Sequence, residues 1–280
     1  MPKIAVHLHL FYQEQVEDML DRLKNLSNVP YDLYVTLVSE NLEIEQKIRA
    51  FKADANVWIV PNVGYDVGPF IDFLHHIDID SYDYIIKIHT KRTTGEYEVL
   101  FNHWRFDMKM WREMMLDSVI SRRAVVENMH IFEKFENVGM IGHKYVTTKE
   151  YQHYQPVECD AVEQMKKIGL AVPNDKTFVA GTMFWVRAKL LKPFLCYNTT
   201  DFVQSQPLVH DCTLAHVLER IFGWSVSAQG YKILGVQYKI YFWCLLKTQI
   251  YHSLFSKKVT KKGYLLVKVC KIPVLRIKIK

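Results

Sequence analysis

The segment NVGYDVGPF (62–70) places an acidic residue between two glycines, after a predicted strand and before a predicted helix. Glycines such as Gly64 and Gly68 permit positive φ angles and close approach of a ligand to the backbone. An aspartate in such a turn can accept hydrogen bonds from ribose hydroxyls or from a pyrimidine N–H. We therefore predict a nucleoside-binding turn in which Asn62 and Asp66 lie near the nucleoside. The alternative is a simple turn in which Asp66 caps the helix that follows.

The segment KIHTKR (87–92) combines two cations with an imidazole and a hydroxyl at the end of another predicted strand. Fixed positive charge and hydrogen-bond donors suit the anionic oxygens of a pyrophosphate. We therefore predict that His89, Thr90, Lys91 and Arg92 bind a diphosphate. The alternative is an exposed basic loop.

The segment AGTMFWVR (180–187) has a Gly-Thr turn followed by two aromatic residues. Such a turn can form a floor for a sugar ring, so Gly181, Thr182 and Trp185 are predicted to contact the sugar or an acceptor. The alternative is a buried strand with a closely packed glycine.

Strands and helices alternate through the first ninety residues. The hydrophobic patterns predict strands at 3–11, 31–38, 56–60 and 82–88, and helices at 14–26, 41–53 and 69–77. This alternation predicts an α/β fold with a parallel sheet. Ligands of such sheets bind beyond the carboxyl ends of the strands, and the segments at 62–70 and 87–92 follow two of these ends.

The second half of the chain is less regular. The patterns predict one long helix at 104–136, a strand at 137–142, an irregular insertion at 143–176, a strand at 177–187 and an amphipathic helix at 211–222. Trp104 and Trp111 recur at helical spacing with several methionines and are predicted to be core residues. The histidines fit no common zinc spacing, so no metal site is predicted.

The net charge of +6 is unevenly distributed. Residues 232–280 hold twelve Lys or Arg and no Asp or Glu, which leaves 24 basic and 30 acidic residues in 1–231. We therefore predict a folded domain at 1–231 and a basic, aromatic-rich C-terminal extension at 232–280. The longest apolar run in the extension, Ile240–Leu246, has seven residues, whereas a membrane-spanning helix needs about 20. The extension is expected to lie on an anionic membrane surface or to pack on the domain.

The cysteine pattern and the N-terminus favour a reducing compartment. The five cysteines are widely spaced, with no CxxC pair, which argues against a disulfide framework and a zinc ribbon. The first apolar run contains His7 and His9 and lacks a small-residue cleavage site, so it predicts a strand rather than a signal peptide. A cytoplasmic location at the inner face of the membrane is expected. Because the positive charge is concentrated in the extension, a nucleic-acid partner is not expected.

Five segments together resemble the rhamnan synthesis protein F family of bacterial polysaccharide glycosyltransferases. They are VHLH (6–9), NVGYDVGPF (62–70), KIHTKR (87–92), AGTMFWVR (180–187) and DCTLAHVLER (211–220). The resemblance covers residues 3–225 and differs from the family pattern at Tyr65, where arginine is expected, and at Cys212, where glycine is expected. It implies a GT-A-like, Rossmann-type sheet flanked by helices. It also implies transfer of a hexose, with rhamnose from dTDP-rhamnose expected, to a surface-polysaccharide or lipid-linked glycan.

Many GT-A enzymes carry an Asp-x-Asp metal ligand after the fourth strand, where this chain has His89-Thr90-Lys91. The expectation is therefore catalysis without a metal cofactor, in which basic residues neutralise the diphosphate, although a divalent cation stays an alternative. Asp78 and Asp80 precede that strand and are predicted to form a turn.

Transfer with inversion needs a carboxylate that takes the proton of the acceptor hydroxyl. Asp211, at the start of a predicted helix, is the candidate base, and helix capping is the alternative role. Glu219 lies two turns along the same helix and could pair with Arg187 or Arg220.

Two other functions stay open at this stage. The chain could be a non-catalytic glycan-binding or assembly subunit, which would not transfer or hydrolyse any nucleotide sugar. It could also be a nucleotidyltransferase, but that reaction normally uses a carboxylate-bound metal, and no Asp-x-Asp follows the fourth strand.

Overall fold

The computed structural model describes residues 1–93, 98–101, 104–149, 156–202, 213–239, 255–259, 264–269 and 272–278. The strands are β1 (Ile4–Leu10), β2 (Tyr31–Leu37), β3 (Asn56–Ile59), β4 (Tyr84–His89), β5 (Glu98–Phe101), β6 (Trp104–Asp107), β7 (Val138–His143), β8 (Thr147–Thr148), β9 (Phe178–Val179), β10 (Phe184–Arg187), β11 (Lys232–Val236), β12 (Phe255–Val259), β13 (Tyr264–Val269) and β14 (Ile272–Lys278). The α-helices are α1 (Val16–Leu23), α2 (Leu42–Phe51), α3 (Val67–His76), α4 (Met108–Ile120), α5 (Arg122–Lys134), α6 (Pro156–Lys167) and α7 (Leu214–Ala228). Short 3-10 helices lie at 13–15, 24–26, 79–81, 188–196 and 199–201.

A seven-stranded sheet forms the centre of the fold, in the order β11-β7-β10-β4-β1-β2-β3. Strands β1 to β4 are mutually parallel, β11 is parallel to β7, and β10 runs antiparallel to both β4 and β7. The predicted α/β class is therefore confirmed, as a mixed and mostly parallel sheet. Because β10 is reversed, its first residues lie at the edge of the sheet where the parallel strands end.

The helices cover both faces of this sheet. On one face, Phe70 of α3 packs edge-on against Phe184 of β10 and Phe222 of α7, with ring centroids 6.0 and 5.6 Å apart. On the other face, the indole of Trp185 in β10 donates from Nε1 to the carbonyl of Val119 in α4, at 2.7 Å. The neighbouring residues 184 and 185 thus belong to different layers of the core, as alternation along a strand requires.

The predicted helix at 104–136 is wrong, because the chain there forms strand β6 and two helices. Helix α4 ends and α5 begins at Ser121, whose backbone is extended (φ −70°, ψ 155°). The Ser121 hydroxyl donates to the carbonyl of Asp117 at 2.6 Å and accepts from the amide of Ala124 at 3.2 Å. One serine therefore ends one helix and caps the next, a signal that hydrophobic periodicity does not show.

The central sheet continues past the predicted domain boundary at residue 231. Strand β11 begins at Lys232 and pairs with β7, and the hydroxyl of Tyr238 donates to Oδ1 of Asn128 in α5 at 2.6 Å. The predicted extension at 232–280 therefore contributes its first residues to the folded domain. The high content of basic residues after residue 231 suggested an extension and gave no indication of this short strand.

Three strands of the basic segment form a separate antiparallel sheet in the order β12-β13-β14. The register of β13 and β14 shifts between Val267 and Lys268. Within the described residues, no helix is both long enough and apolar enough to cross a membrane.

Candidate functional site

A row of polar side chains crosses the otherwise apolar sheet beneath α3. In the strand register, His7 of β1 lies beside Lys87 of β4, and His9 lies beside His89 and Thr36. All five residues are buried. The hydroxyl of Thr36 contacts both His7 Nε2 and His9 Nδ1 at 3.0 Å. Buried polar groups need hydrogen-bond partners, and Thr36 supplies one for a ring nitrogen of each of the two histidines.

Lys87 is the centre of the site, because it is fully buried and joins three of the sequence motifs. Its ammonium donates to Oδ2 of Asp66, and to Oγ1 and the carbonyl of Thr182 at 2.9 and 3.1 Å. The Thr182 hydroxyl donates in turn to the same oxygen of Asp66. Asp66, Lys87 and Thr182 are 21 or more residues apart in sequence, yet they form one closed cluster at the carboxyl edge of the parallel strands.

The charges of this cluster depend on one another. Burial alone would raise the pKa of Asp66, but His89, Lys87 and Lys91 together hold that pKa far below its usual range. Burial lowers the pKa of Lys87, and Asp66 opposes this effect. We therefore treat Asp66 and Lys87 as an ion pair. The side chain of Asp66 makes no capping hydrogen bond to α3, so it does not have the alternative role of a helix cap.

Among the residues that the structure describes, two other than glycine have left-handed backbone conformations: Tyr65 directly precedes Asp66, and Thr182 belongs to the cluster itself. Tyr65 has φ +55° and Thr182 has φ +52°, beside Gly64 at +70° and Gly181 at +82°. A β-branched residue in this region is strained by about 1–3 kcal/mol, and such strain persists only where surrounding contacts enforce it. For Thr182 these contacts are the hydrogen bonds to Lys87 and Asp66.

Tight packing at the glycines explains two of the motif positions. A Cβ at Gly68 would lie 2.1 Å from the carbonyl oxygen of Val63, so the turn before α3 closes only with glycine there. A Cβ at Gly181 would lie 2.6 Å from Sδ of Met115. Asn62 is exposed at the start of the same turn as Gly68, where it is open to a ligand.

His89 is 3% exposed, and neither of its ring nitrogens has a hydrogen-bond partner among the residues that the structure describes. Its Nδ1 lies 3.6 Å from Oδ2 of Asp66. Burial is the main reason that the pKa of His89 lies well below its ordinary value, against the attraction of Asp66. A neutral imidazole with two unused nitrogens at the carboxyl edge is a group that a ligand can engage.

The other predicted diphosphate-binding residues differ in their surroundings. Thr90 is buried, and its hydroxyl accepts a hydrogen bond from the backbone amide of Tyr12 at 2.9 Å. This bond connects the loop after β4 with the loop after β1. The ammonium of Lys91 lies 3.9 Å above the ring centroid of Trp111. Desolvation lowers the pKa of Lys91, and nearby carboxylates oppose the effect. Arg92 is exposed.

Glu219 of α7 also lies at the carboxyl edge of the parallel strands. The sequence suggested Arg187 or Arg220 as its partner, but the structure shows a backbone partner. Oε1 of Glu219 accepts from the backbone amide of Gly181 at 2.6 Å. Arg187 instead donates to backbone carbonyls, including that of Val138 at 2.8 Å. Glu219 therefore supports the strained turn at 181–182 through the backbone of Gly181.

Trp185 does not join the cluster. It is fully buried on the α4 face of the sheet, with its indole N–H satisfied by Val119. We therefore correct its predicted sugar-binding role to one in core packing. Gly181 and Thr182, which precede β10, are the residues of that motif that lie at the site.

Asp211, the predicted base, lies outside the described residues, as do Cys212 and His210. The described part of α7 begins just after them, and its first turn contacts the site through His216, whose ring meets that of Tyr65 at 5.2 Å. In the described ranges, no group of three or more His, Cys, Asp and Glu residues has the geometry of a metal site. The role of Asp211 as base and the expected metal independence therefore stay predictions.

Sequence comparison finds WxcX, an uncharacterized protein of Xanthomonas campestris pv. campestris strain B100, which is 25% identical over 246 residues. The match covers 84% of this chain and 33% of WxcX, so the chain spans about a third of the length of its curated relative. Strain ATCC 33913 of the same species has a WxcX with the same identity and coverage.

Comparison of structures finds weaker similarity. The crystal structure of S. aureus TarS 1-349 gives a TM-score of 0.44 at 8% identity, covering 84% of this chain and 58% of TarS. The galactosyltransferase LgtC, in complex with donor and acceptor sugar analogs, gives a TM-score of 0.38 at 6% identity, covering 82% and 72%. Residues 1–231 match the family described as rhamnan synthesis protein F. The matched range contains every motif at the site. The chain therefore belongs to that family.

Proposed function

We propose that this chain is a nucleotide-sugar-dependent glycosyltransferase. The observation that carries the proposal is the cluster in which Asp66, Lys87 and Thr182 bring three separate motifs together where the parallel strands end. This edge is the usual ligand crevice of such sheets. Membership in the rhamnan synthesis protein F family supports the same conclusion.

The proposed donor is dTDP-rhamnose, and the proposed acceptor is a hydroxyl of a surface polysaccharide or a lipid-linked glycan. The acceptor oxygen attacks the anomeric carbon from the side opposite the diphosphate, so the configuration inverts. The bond from that carbon to the diphosphate oxygen breaks, and Asp211 takes the hydroxyl proton. Asn62 and Asp66 lie at the nucleoside end, and Gly181 and Thr182 lie at the sugar.

The departing diphosphate gains negative charge, which needs a positive and hydrogen-bonding environment. Lys91, Arg92 and the unpartnered imidazole of His89 are the groups proposed to meet it. Because cations stand where other enzymes of this class carry carboxylates, we propose that transfer needs no divalent metal. The enzyme would act at the inner face of the membrane, with its basic C-terminal segment on anionic lipid.

The test uses the full-length protein with a panel of nucleotide sugars in the presence of EDTA. We expect dTDP-rhamnose to raise the melting temperature and to release dTDP, more quickly with a glycan acceptor than without. Release that stops in EDTA and returns with Mg²⁺ or Mn²⁺ would contradict metal independence alone. Release of pyrophosphate from a nucleoside triphosphate would indicate a nucleotidyltransferase, and a lack of binding and turnover would support the non-catalytic role.

A further inference from the structure

The side-chain amide of Gln15 pairs with the backbone of Lys91 on both sides. Its Nε2 donates to the Lys91 carbonyl at 2.8 Å, and its Oε1 faces the Lys91 amide at 3.4 Å. The two hydrogen bonds resemble those that a neighbouring strand would supply. They lie two residues beyond His89, the last residue of β4 that pairs with β1.

The orientation of this amide is determined by a third group. Nε of Arg112 in α4 lies 3.1 Å from Oε1 of Gln15. A guanidinium can only donate, so the atom that faces Arg112 must be the oxygen of Gln15. The Gln15 NH₂ group is therefore directed at the Lys91 carbonyl.

Arg112 is itself held by a closed ring of ion pairs between α1 and α4. It donates to Asp18 and, at 2.9 Å, to Glu113, while Arg22 donates to Asp18 at 3.1 Å and to Glu113 at 2.8 Å. The side chain of Arg112 is almost fully buried. Cations and carboxylates alternate around the ring, so Gln15 is attached to a rigid support.

The same turn of α4 also contacts the other end of Lys91. Trp111, the residue before Arg112, lies beneath the Lys91 ammonium at 3.9 Å. The backbone and the charged end of Lys91 are thus both positioned from α4, the backbone through Gln15 and the ammonium through the indole. Groups that are held in place before a ligand arrives need little reorganisation when it binds.

We propose that Gln15 is a positioning residue that holds the backbone of Lys91 so that its ammonium meets the donor diphosphate. Gln15 lies in none of the motifs described above, and the proposal rests on the proposed function of Lys91. Gln15 would contact no substrate atom and would act only through Lys91. Its contribution should therefore require both the Lys91 side chain and a phosphate-bearing ligand.

A double-mutant cycle tests this dependence. Dissociation constants of dTDP are measured by calorimetry for the wild type, Gln15→Ala, Lys91→Ala and the double variant. We expect Gln15→Ala to weaken dTDP binding about 3- to 10-fold in the wild-type background, the range for one hydrogen bond. In the Lys91→Ala background, the same change should weaken binding by less than about 2-fold. Thymidine, which has no phosphate, should bind the wild type and Gln15→Ala equally.

Gln13→Ala is the matched control, because Gln13 lies on the same 3-10 helix but bonds to Ser39 and Asn41 rather than to Lys91. It should bind dTDP as the wild type does. If Gln15→Ala lowers the melting temperature strongly, Gln15→Glu replaces it, because a carboxylate still accepts from Arg112 but cannot donate to the Lys91 carbonyl.

The outcomes separate this inference from the proposed function. The positioning role would be overturned if Gln15→Ala weakened dTDP binding equally in the wild-type and Lys91→Ala backgrounds. It would also be overturned if Gln15→Ala weakened the binding of dTDP and of thymidine equally. A wild-type protein that binds no nucleoside diphosphate would overturn the proposed function and this role together.

Discussion

The ammonium of Lys91 lies over the face of Trp111, which holds it by a cation–π contact. Lys91→Ala should weaken dTDP binding by about 1.5–3 kcal/mol, the range for a hydrogen bond to a charged group. Calorimetric titration measures the change. Lys192→Ala is the control, since Lys192 pairs with Asp80 before β4 begins, at the opposite edge of the sheet. Equal affinities of the wild type and Lys91→Ala for dTDP would show that Lys91 does not bind the diphosphate.

Asp211 and Glu219 are the two carboxylates proposed as candidates for the base. Asp211→Asn should lower the transfer rate by about 10²- to 10⁴-fold, because the amide cannot take the acceptor proton. Glu219→Gln keeps an oxygen for the amide of Gly181, so its rate should stay near that of the wild type. Steady-state rates with saturating donor measure both. The reverse ranking would assign proton removal to Glu219.

Buried histidines make the protein sensitive to acid. Burial lowers the pKa of His143 to about 4, whereas an unfolded histidine titrates near 6.5. Between these values the unfolded chain binds a proton that the folded chain excludes, so stability falls as the pH drops below 6.5. From pH 7 to pH 5, His143 should account for about 2 kcal/mol of that loss.

Urea unfolding at the two pH values measures the effect. His143→Gln should reduce the difference by about that amount, whereas His130→Gln, at an exposed position on α5, should leave it unchanged. A pH dependence that is identical in His143→Gln and the wild type would show that this histidine does not contribute.

At the scale of elements, the Asp66–Lys87 pair connects the turn before α3 with β4, and Thr182 connects both with β10. Lys87→Met leaves Asp66 without its cation and should lower the free energy of unfolding by about 3–5 kcal/mol. Asp66→Asn leaves a buried lysine and should also destabilise. The double variant removes both charges, so it should cost clearly less than the sum of the two. Additive losses in urea titrations would mean that the pair is not coupled.

The sequence predicted the elements whose signal is local. Strands β1, β2 and β4 appear as apolar runs, and the amphipathic spacing indicated α1 and α2 within a few residues of their ends. The motif at 87–92 was correctly placed at the end of β4. These predictions succeed because each depends on neighbouring residues and on the rule that ligands bind where parallel strands end.

The remaining features depend on long-range register, which periodicity does not contain. Lys87 was predicted to lie in the fourth strand, but only the register of β4 shows that its side chain points beneath α3 towards Asp66. Trp185 was assigned to a sugar because the face of β10 on which it lies was unknown. Gln15 resembles an ordinary residue at the start of a helix, and its pairing with Lys91 spans 76 residues.

At the scale of the whole molecule, β11 changes how the basic segment should be tested. Removing everything after residue 231 would delete β11 from the central sheet, so the shortened chain should end after Lys239. This truncated protein should keep its melting temperature and its affinity for dTDP. It should lose salt-sensitive binding to anionic vesicles, because surface lysines contribute on the order of 1 kcal/mol each.

Co-sedimentation with anionic and neutral vesicles at low and high salt measures that loss. If the full-length and truncated proteins sediment alike, or if salt has no effect, the segment is not a membrane anchor. A marked fall in melting temperature on truncation would instead show that it packs on the domain.

The position of β10 between β4 and β7 also has a consequence for synthesis on the ribosome. Strands β3, β2, β1 and β4 are complete about a hundred residues before β10 is made, so β4 is for a time the edge of a four-stranded sheet. A free edge invites pairing with another chain, and an inward-pointing lysine is one of the devices that prevent it. We therefore expect the inward-pointing Lys87 to disfavour such pairing until β10 covers this edge of β4.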